Sequence, residues 1–113
     1  MNINRYSKNP ILTKENVPFK VNSIFNPGAV KYKDKYVLLC RVEKPIGRSS
    51  LVIADSSDGY NFKVASKPIL TPEDHKEHYE YVKWGVEDAR ITKIEEKYYL
   101  TYTGYSRHQP LVI

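Results

Sequence analysis

The sequence is short of several things at once. Its 113 residues hold one cysteine, one methionine, one tryptophan and five glycines. A single cysteine excludes an internal disulfide, so no covalent staple supports the fold. Cys40 lies within Tyr36-Val37-Leu38-Leu39-Cys40, where it reads as a small apolar core residue rather than a nucleophile. That stretch is also the most apolar in the chain, far below the roughly 20 residues of a membrane helix. The opening, Met1 to Leu12, has no apolar run of signal-peptide length. A reducing, cytoplasmic location without membrane attachment is therefore expected.

Acidic residues are in deficit too: 13 Asp and Glu stand against 18 Lys and Arg, for a net charge of +5. The excess is spread along the chain and interrupted by acids, which is the pattern of a solvated surface. The aromatics around Lys33 and Lys35 alternate as in a strand, and no nucleic-acid motif accompanies them. A nucleic-acid partner is not expected.

What is present is tyrosine, ten residues against three Phe. Tyrosine suits strands that are half buried and half wet. Apolar content of 41% excludes a disordered composition. The length allows one small, all-β domain.

The chain repeats itself. Ala29 to Glu43 aligns with Ile91 to Tyr105 at an offset of 91 − 29 = 62, pairing Lys31 with Lys93, Lys35 with Lys97, Tyr36 with Tyr98 and Leu38 with Leu100. Each copy reads as a short strand, a charged two-residue turn and a longer strand, the grammar of a β-hairpin. The first copy continues through a third strand near 49–55, a turn at Ser57-Asp58-Gly59 and a fourth strand near 60–66. Its first strand is placed at 29–33. Asp-Gly supplies the positive φ of a tight turn. Four antiparallel strands recurring every 62 residues have the size of a propeller blade.

The second copy reaches Leu111-Val112-Ile113, which resembles Leu51-Val52-Ile53 at an offset of 60. Three readings follow from the uncovered edges such a unit leaves. The residues form the first part of a longer protein, the reading preferred here, or several copies pair as a homo-oligomer, or the fold is another one. Blade one is placed at 26–66, a connecting loop at 67–86 and a partial blade two at 87–113. Within the loop, Thr71-Pro72-Glu73-Asp74 reads as a helical start with Thr71 as N-cap. The first 24 residues are expected either along the outside of the ring or helping to close it.

One charged cluster is out of keeping with a strand start: Glu87, Asp88 and Arg90 in Gly85-Val86-Glu87-Asp88-Ala89-Arg90-Ile91-Thr92. The repeat sets Asp88 opposite Asn26, so Asn26-Pro27-Gly28 and Asp88-Ala89-Arg90 occupy one place, just ahead of the first strand of each blade. Inner strands line a propeller's channel, and an Asn and an Asp meeting there can bind the hydroxyls of a polar ligand. Asp88 can also give or take a proton. Arg41 follows a buried strand and awaits a carboxylate; Glu43, two residues on, shares its strand face. The alternative is a loop salt-bridge network around an ordinary turn. His75-x-x-His78 has metal-like spacing without a third ligand, so no metal is expected. Trp84 suits either a flat ligand face or a core.

These segments, in order, resemble glycoside hydrolase family 130, the β-mannoside phosphorylases and related β-mannosidases. The resemblance rests on Asn26 to Val30, Arg41-Val42-Glu43, Ser56 to Phe62, Gly85 to Thr92 and Tyr98 to Ser106. It covers most of this chain and only the first part of a family member. It implies a five-bladed β-propeller and inverting cleavage of a β-mannoside by inorganic phosphate, giving mannose 1-phosphate without a cofactor. It implies that Asp88 is the general acid, relaying its proton through a sugar hydroxyl, and that Asn26 and Arg41 contact the mannose. Glu87 and Arg90 join this binding set. Ala89 stands where the family usually has proline. The phosphate-gripping residues of the phosphorylases are expected downstream, and His108 matches none of them. A β-mannoside hydrolase and a non-catalytic, truncated sugar-binding remnant are the alternatives.

Overall fold

A computed structural model describes residues 2–107 and 110–113. His108 and its neighbour Gln109 lie outside the described residues. The strands are β1 (Ser23–Tyr32), β2 (Lys35–Glu43), β3 (Ser49–Ser56), β4 (Lys63–Val64), β5 (Gly85–Ile94), β6 (Lys97–Tyr105) and β7 (Leu111–Val112), with a short helix α1 (Tyr79–Val82) before β5. β1 to β4 form one antiparallel meander and β5 to β7 a second. The two are joined by one parallel pair, Ser49 with Gly85.

The 62-residue repeat holds element by element. β5 begins 85 − 23 = 62 residues after β1, and β6 begins 97 − 35 = 62 after β2. Both hairpins turn in two residues, and Lys33 and Glu95 open their turns with φ of 51° and 53°. The third strand departs from the expected offset of 60. Leu111 pairs with Gly104 and Val112 with Thr103, whereas Ser50 pairs with Val42 and Leu51 with Arg41. Leu111 is thus the counterpart of Ser50, an offset of 61. A one-residue slip of this kind reverses which side chains face the core.

Two further boundaries differ from expectation. β1 starts at Ser23 rather than at 29, so it takes in Asn26-Pro27-Gly28. The fourth strand is reduced to Lys63 and Val64, because the turn before it is held by side chains. Asp58 accepts the backbone N–H of Tyr60 and of Asn61, each at 2.8 Å, and Ser56 donates its hydroxyl to the same carboxylate. These donors hold the Asp58 carboxyl well below its usual range. Gly59 takes the positive φ, 77°.

Strand alternation divides the apolar residues into two cores. Cys40 and Val42 of β2, with Val52 and Ala54 of β3, face one way. The opening segment covers them with Leu12, Val17, Phe19 and Val21. Leu39 and Leu51 face the other way, against Val82, Val86 and Ala89. Each such side chain, fully buried, is worth about 1.5–3 kcal/mol. The second core is the seam between the blades, and Arg41 sits on its face.

The connection between blades is not a plain loop. Leu70 bridges to Leu51, and a 3-10 turn runs from Pro72 to Asp74 behind Thr71. Thr71 donates its backbone N–H to the Asp74 carboxylate at 2.8 Å. His75 is held at both ring nitrogens. Its Nδ1 lies 3.0 Å from the Thr71 carbonyl and its Nε2 lies 2.6 Å from the Tyr102 hydroxyl. A carbonyl only accepts, so Nδ1 carries the proton. Among the described residues no group of His, Cys, Asp and Glu is arranged to hold a metal ion.

Candidate active site

The expected site residues lie inside strands, not ahead of them. In β1, Phe25 pairs with Arg41 and Pro27 with Cys40, which leaves Asn26 as the extra residue of a bulge. In β5, Glu87 pairs with Thr103 and Arg90 with Thr101, with Asp88 and Ala89 between. The two irregularities fall at the same place in the repeat. A bulge re-aims a side chain that a regular strand would direct along the pleat. Asp88 carries the distortion in its backbone, with φ of 50°.

The bulges are brought together by a close approach of β1 and β5. A Cβ on Gly28 would lie 2.8 Å from the carbonyl oxygen of Ala89 and 3.2 Å from Ile91 Cγ1. Only a residue without a side chain lets the strands approach this closely. Asn26 and Asp88, each two residues or fewer from this contact, share one rim.

Arg41 is the hub. Its Nη2 lies 2.9 Å from Glu87 Oε1, and its Nη1 lies 3.5 Å from Asp88 Oδ1. Its Nε donates to Ser49 Oγ at 3.0 Å. The Phe25 ring lies under the guanidinium, 4.8 Å from centroid to carbon. Arg41 therefore reads four strands at once: its own, β1 through Phe25, β3 through Ser49 and β5 through the two acids. Side-chain exposure grades across the cluster: 16% for Glu87, 21% for Arg41 and 44% for Asp88. Glu87 is the anchor, and Asp88 is the group that faces outward.

Two expected members stand apart from this cluster. Glu43 does not pair with Arg41; it accepts a hydrogen bond from the Asn22 amide at 3.2 Å. Same-face spacing placed Glu43 within reach of Arg41 in sequence, and the neighbouring blade supplied the better partner. Arg90 folds back on its own strand, donating to the carbonyls of Ala89 at 3.0 Å and Asp88 at 3.4 Å. Asn26 is exposed beside Phe25 and Pro27. Trp84 is half-buried, with Arg48 and Arg107 over its indole at 5.3 and 3.7 Å. Ser49 is the member that sequence reasoning missed.

This geometry stands in a chain with clear relatives. The family described as beta-1,4-mannooligosaccharide phosphorylase, glycoside hydrolase family 130, matches residues 2–112. The chain belongs to glycoside hydrolase family 130. It is 37% identical over 118 residues to a β-1,2-mannobiose phosphorylase of Thermoanaerobacter sp. strain X514, covering 91% of this chain and 37% of that protein. A solved structure of the GH130 family of mannoside phosphorylases, a family that contains glycoside hydrolases targeting β-1,2-mannosidic linkages in Candida mannan, superposes with a TM-score of 0.84. It is 30% identical and covers 96% of this chain and 35% of its own. The β-1,2-mannobiose phosphorylase of Listeria innocua, solved with β-1,2-mannobiose, shares the fold at a TM-score of 0.81. It is 23% identical and covers 99% of this chain and 47% of its own. The chain thus spans less than half the length of these relatives. Family 130 structures are five-bladed β-propellers, and the two meanders here are about two blades of one.

Proposed function

We propose that these residues form the mannose-binding side of an enzyme that cleaves β-mannosides by phosphorolysis. The observation that carries the reading is the Arg41, Glu87 and Asp88 cluster across the blade seam, in a chain whose relatives include β-1,2-mannobiose phosphorylases. Asp88 is the general acid. It is the exposed carboxyl of the cluster, able to protonate the departing glycosidic oxygen directly or through a sugar hydroxyl. Phosphate attacks the anomeric carbon from the opposite face, so the C–O bond to the leaving sugar breaks as the bond to phosphate forms. Mannose 1-phosphate leaves with inverted configuration.

Glu87 and Arg41 have a division of labour in this scheme. Glu87 is the nearer partner of the guanidinium, 2.9 Å against 3.5 Å, so Asp88 is not locked in a tight ion pair. The remaining donor capacity of Arg41 and the amide of Asn26 serve the mannose hydroxyls. Arg90 acts through the bulge, whose carbonyls it braces. The substrate is a β-mannoside oligosaccharide and the co-substrate inorganic phosphate, with no cofactor. A cytoplasmic home fits the lone, buried Cys40; among the described residues no helix is long and apolar enough to cross a membrane.

Hydrolysis is the second reading, favoured by the presence of glycoside hydrolases in the GH130 family of mannoside phosphorylases. Incubating the complete gene product with β-1,2-mannobiose, with and without phosphate, separates the two. Mannose 1-phosphate formed only with phosphate supports phosphorolysis. Free mannose at equal rates in both supports the hydrolase. No turnover of any β-mannoside removes both.

A further inference from the structure

Three acceptors surround the Arg41 guanidinium, and only two are acids. The third is the hydroxyl of Ser49, which accepts the Nε–H at 3.0 Å. Ser49 is buried at 1% exposure. It opens β3, pairs with Glu43 on one side and with Gly85 in parallel on the other. Its own N–H points to the Trp84 carbonyl at 3.4 Å. Ser49 is therefore fixed on both sides of the seam. A Cβ at Gly85 would lie 3.0 Å from Ser49 Cβ and 2.9 Å from Glu87 Oε1. The bare backbone at 85 is what allows Ser49 and Glu87 to reach one guanidinium.

A guanidinium is planar, so two separate contacts and one stacking face define its orientation. Phe25 sets the plane. Glu87 sets one edge. The Asp88 contact is long, at 3.5 Å, so without Ser49 Arg41 can rotate within that plane and offer its Nε and Nη2 side by side to Glu87, the bidentate arrangement arginine favours with a carboxylate. Nη1 would then leave Asp88. The Ser49 hydroxyl occupies Nε and blocks this rotation. We infer that Ser49 is a positioning residue that holds Arg41 turned toward Asp88 and the substrate. This rests on the reading of Arg41 and Asp88 as the site.

The test is a double-mutant cycle in the complete gene product, assayed with β-1,2-mannobiose and inorganic phosphate. Ser49→Ala is expected to lower kcat/KM about tenfold, the scale of one hydrogen bond to a charged group, and to act mainly on KM. In an Arg41→Lys background, where no Nε–H exists to be held, Ser49→Ala is expected to have no further effect. An equal loss in both backgrounds, a loss that follows the melting temperature, or no loss at all in the wild-type background overturns the inference. Should Ser49→Ala fail to fold, Ser49→Cys keeps the shape with a slightly larger atom and weakens the acceptor, and a rise in KM is again expected; an unchanged KM overturns it. Arg41→Lys and Asp88→Asn alone test the underlying site. If both leave turnover intact, that site assignment fails whatever Ser49 does; if both lower turnover to a reduced but measurable rate and Ser49→Ala is silent, only the positioning role fails.

Discussion

Arg41 and Glu87 meet at 2.9 Å although 46 residues separate them in sequence, and they belong to different blades. The pair is largely shielded from water, so each charge depends on the other. Arg41→Ala is expected to destabilise the protein by about 2 kcal/mol, because it leaves Glu87 without its partner. Urea titration of the variant measures this; a midpoint equal to wild type would show that the pair adds nothing to stability.

Asp88→Asn should separate chemistry from folding. The residue holds φ of 50°, a conformation that Asn tolerates well, and its side chain is 44% exposed. The melting temperature should stay at the wild-type value. Turnover of β-mannosides should fall about 10²–10⁴-fold, the usual reach of a general acid. Retained turnover in a well-folded variant would remove Asp88 from the chemistry.

Two glycine substitutions should part company. Gly28→Ala forces a methyl group to within 2.8 Å of the Ala89 carbonyl. It should cost about 1–3 kcal/mol by crowding and should also lower activity, since β5 must shift with Asp88 on it. Gly47→Ala meets open space but a φ of 76°. It should cost about 1 kcal/mol of backbone strain and spare kcat/KM. Equal effects on activity would mean that the strand approach does not position the site.

Cys40 gives a pH dependence with a defined sign. Burial pushes its thiol from the ordinary 9.0 up to about 11. The folded state therefore keeps a proton that the unfolded chain loses first. This part of the stability is complete below pH 9.0 and is lost as pH rises toward about 11. Chemical denaturation from pH 8 upward should show the decline, and Cys40→Ala should flatten it. The same burial predicts slow reaction of the native thiol with alkylating reagents at pH 8.

The features legible in the sequence were those with local causes. The repeat, the two-residue hairpins and the Asp58-Gly59 turn all follow from short-range rules of alternation and φ. The bulges did not follow. Pro27, Gly28 and Asp88 are each poor strand residues, so Asn26-Pro27-Gly28 and Asp88-Ala89-Arg90 read as segments outside a strand. In fact the strands run through them, with one bulge in each absorbing the misfit. The partner of Arg41 was out of reach for another reason. Glu43 satisfied the same-face rule within one strand, while Glu87 came from a blade 46 residues away. Ser49 carried no signal at all; a serine at a strand start is ordinary until a guanidinium is found beside it.

The thin backbone connection at Ser49 and Gly85 has a consequence for how the molecule opens. Each meander closes its own ladder, while between them one parallel pair and the side chains of the second core carry the load. Amide protons within β1 to β3 and within β5 and β6 should then exchange as two separate units. The Ser49 and Gly85 amides, at the hinge between these units, should be the first of the strand protons to exchange. Heat or denaturant would accordingly dismantle the Arg41 cluster while both hairpins were still intact.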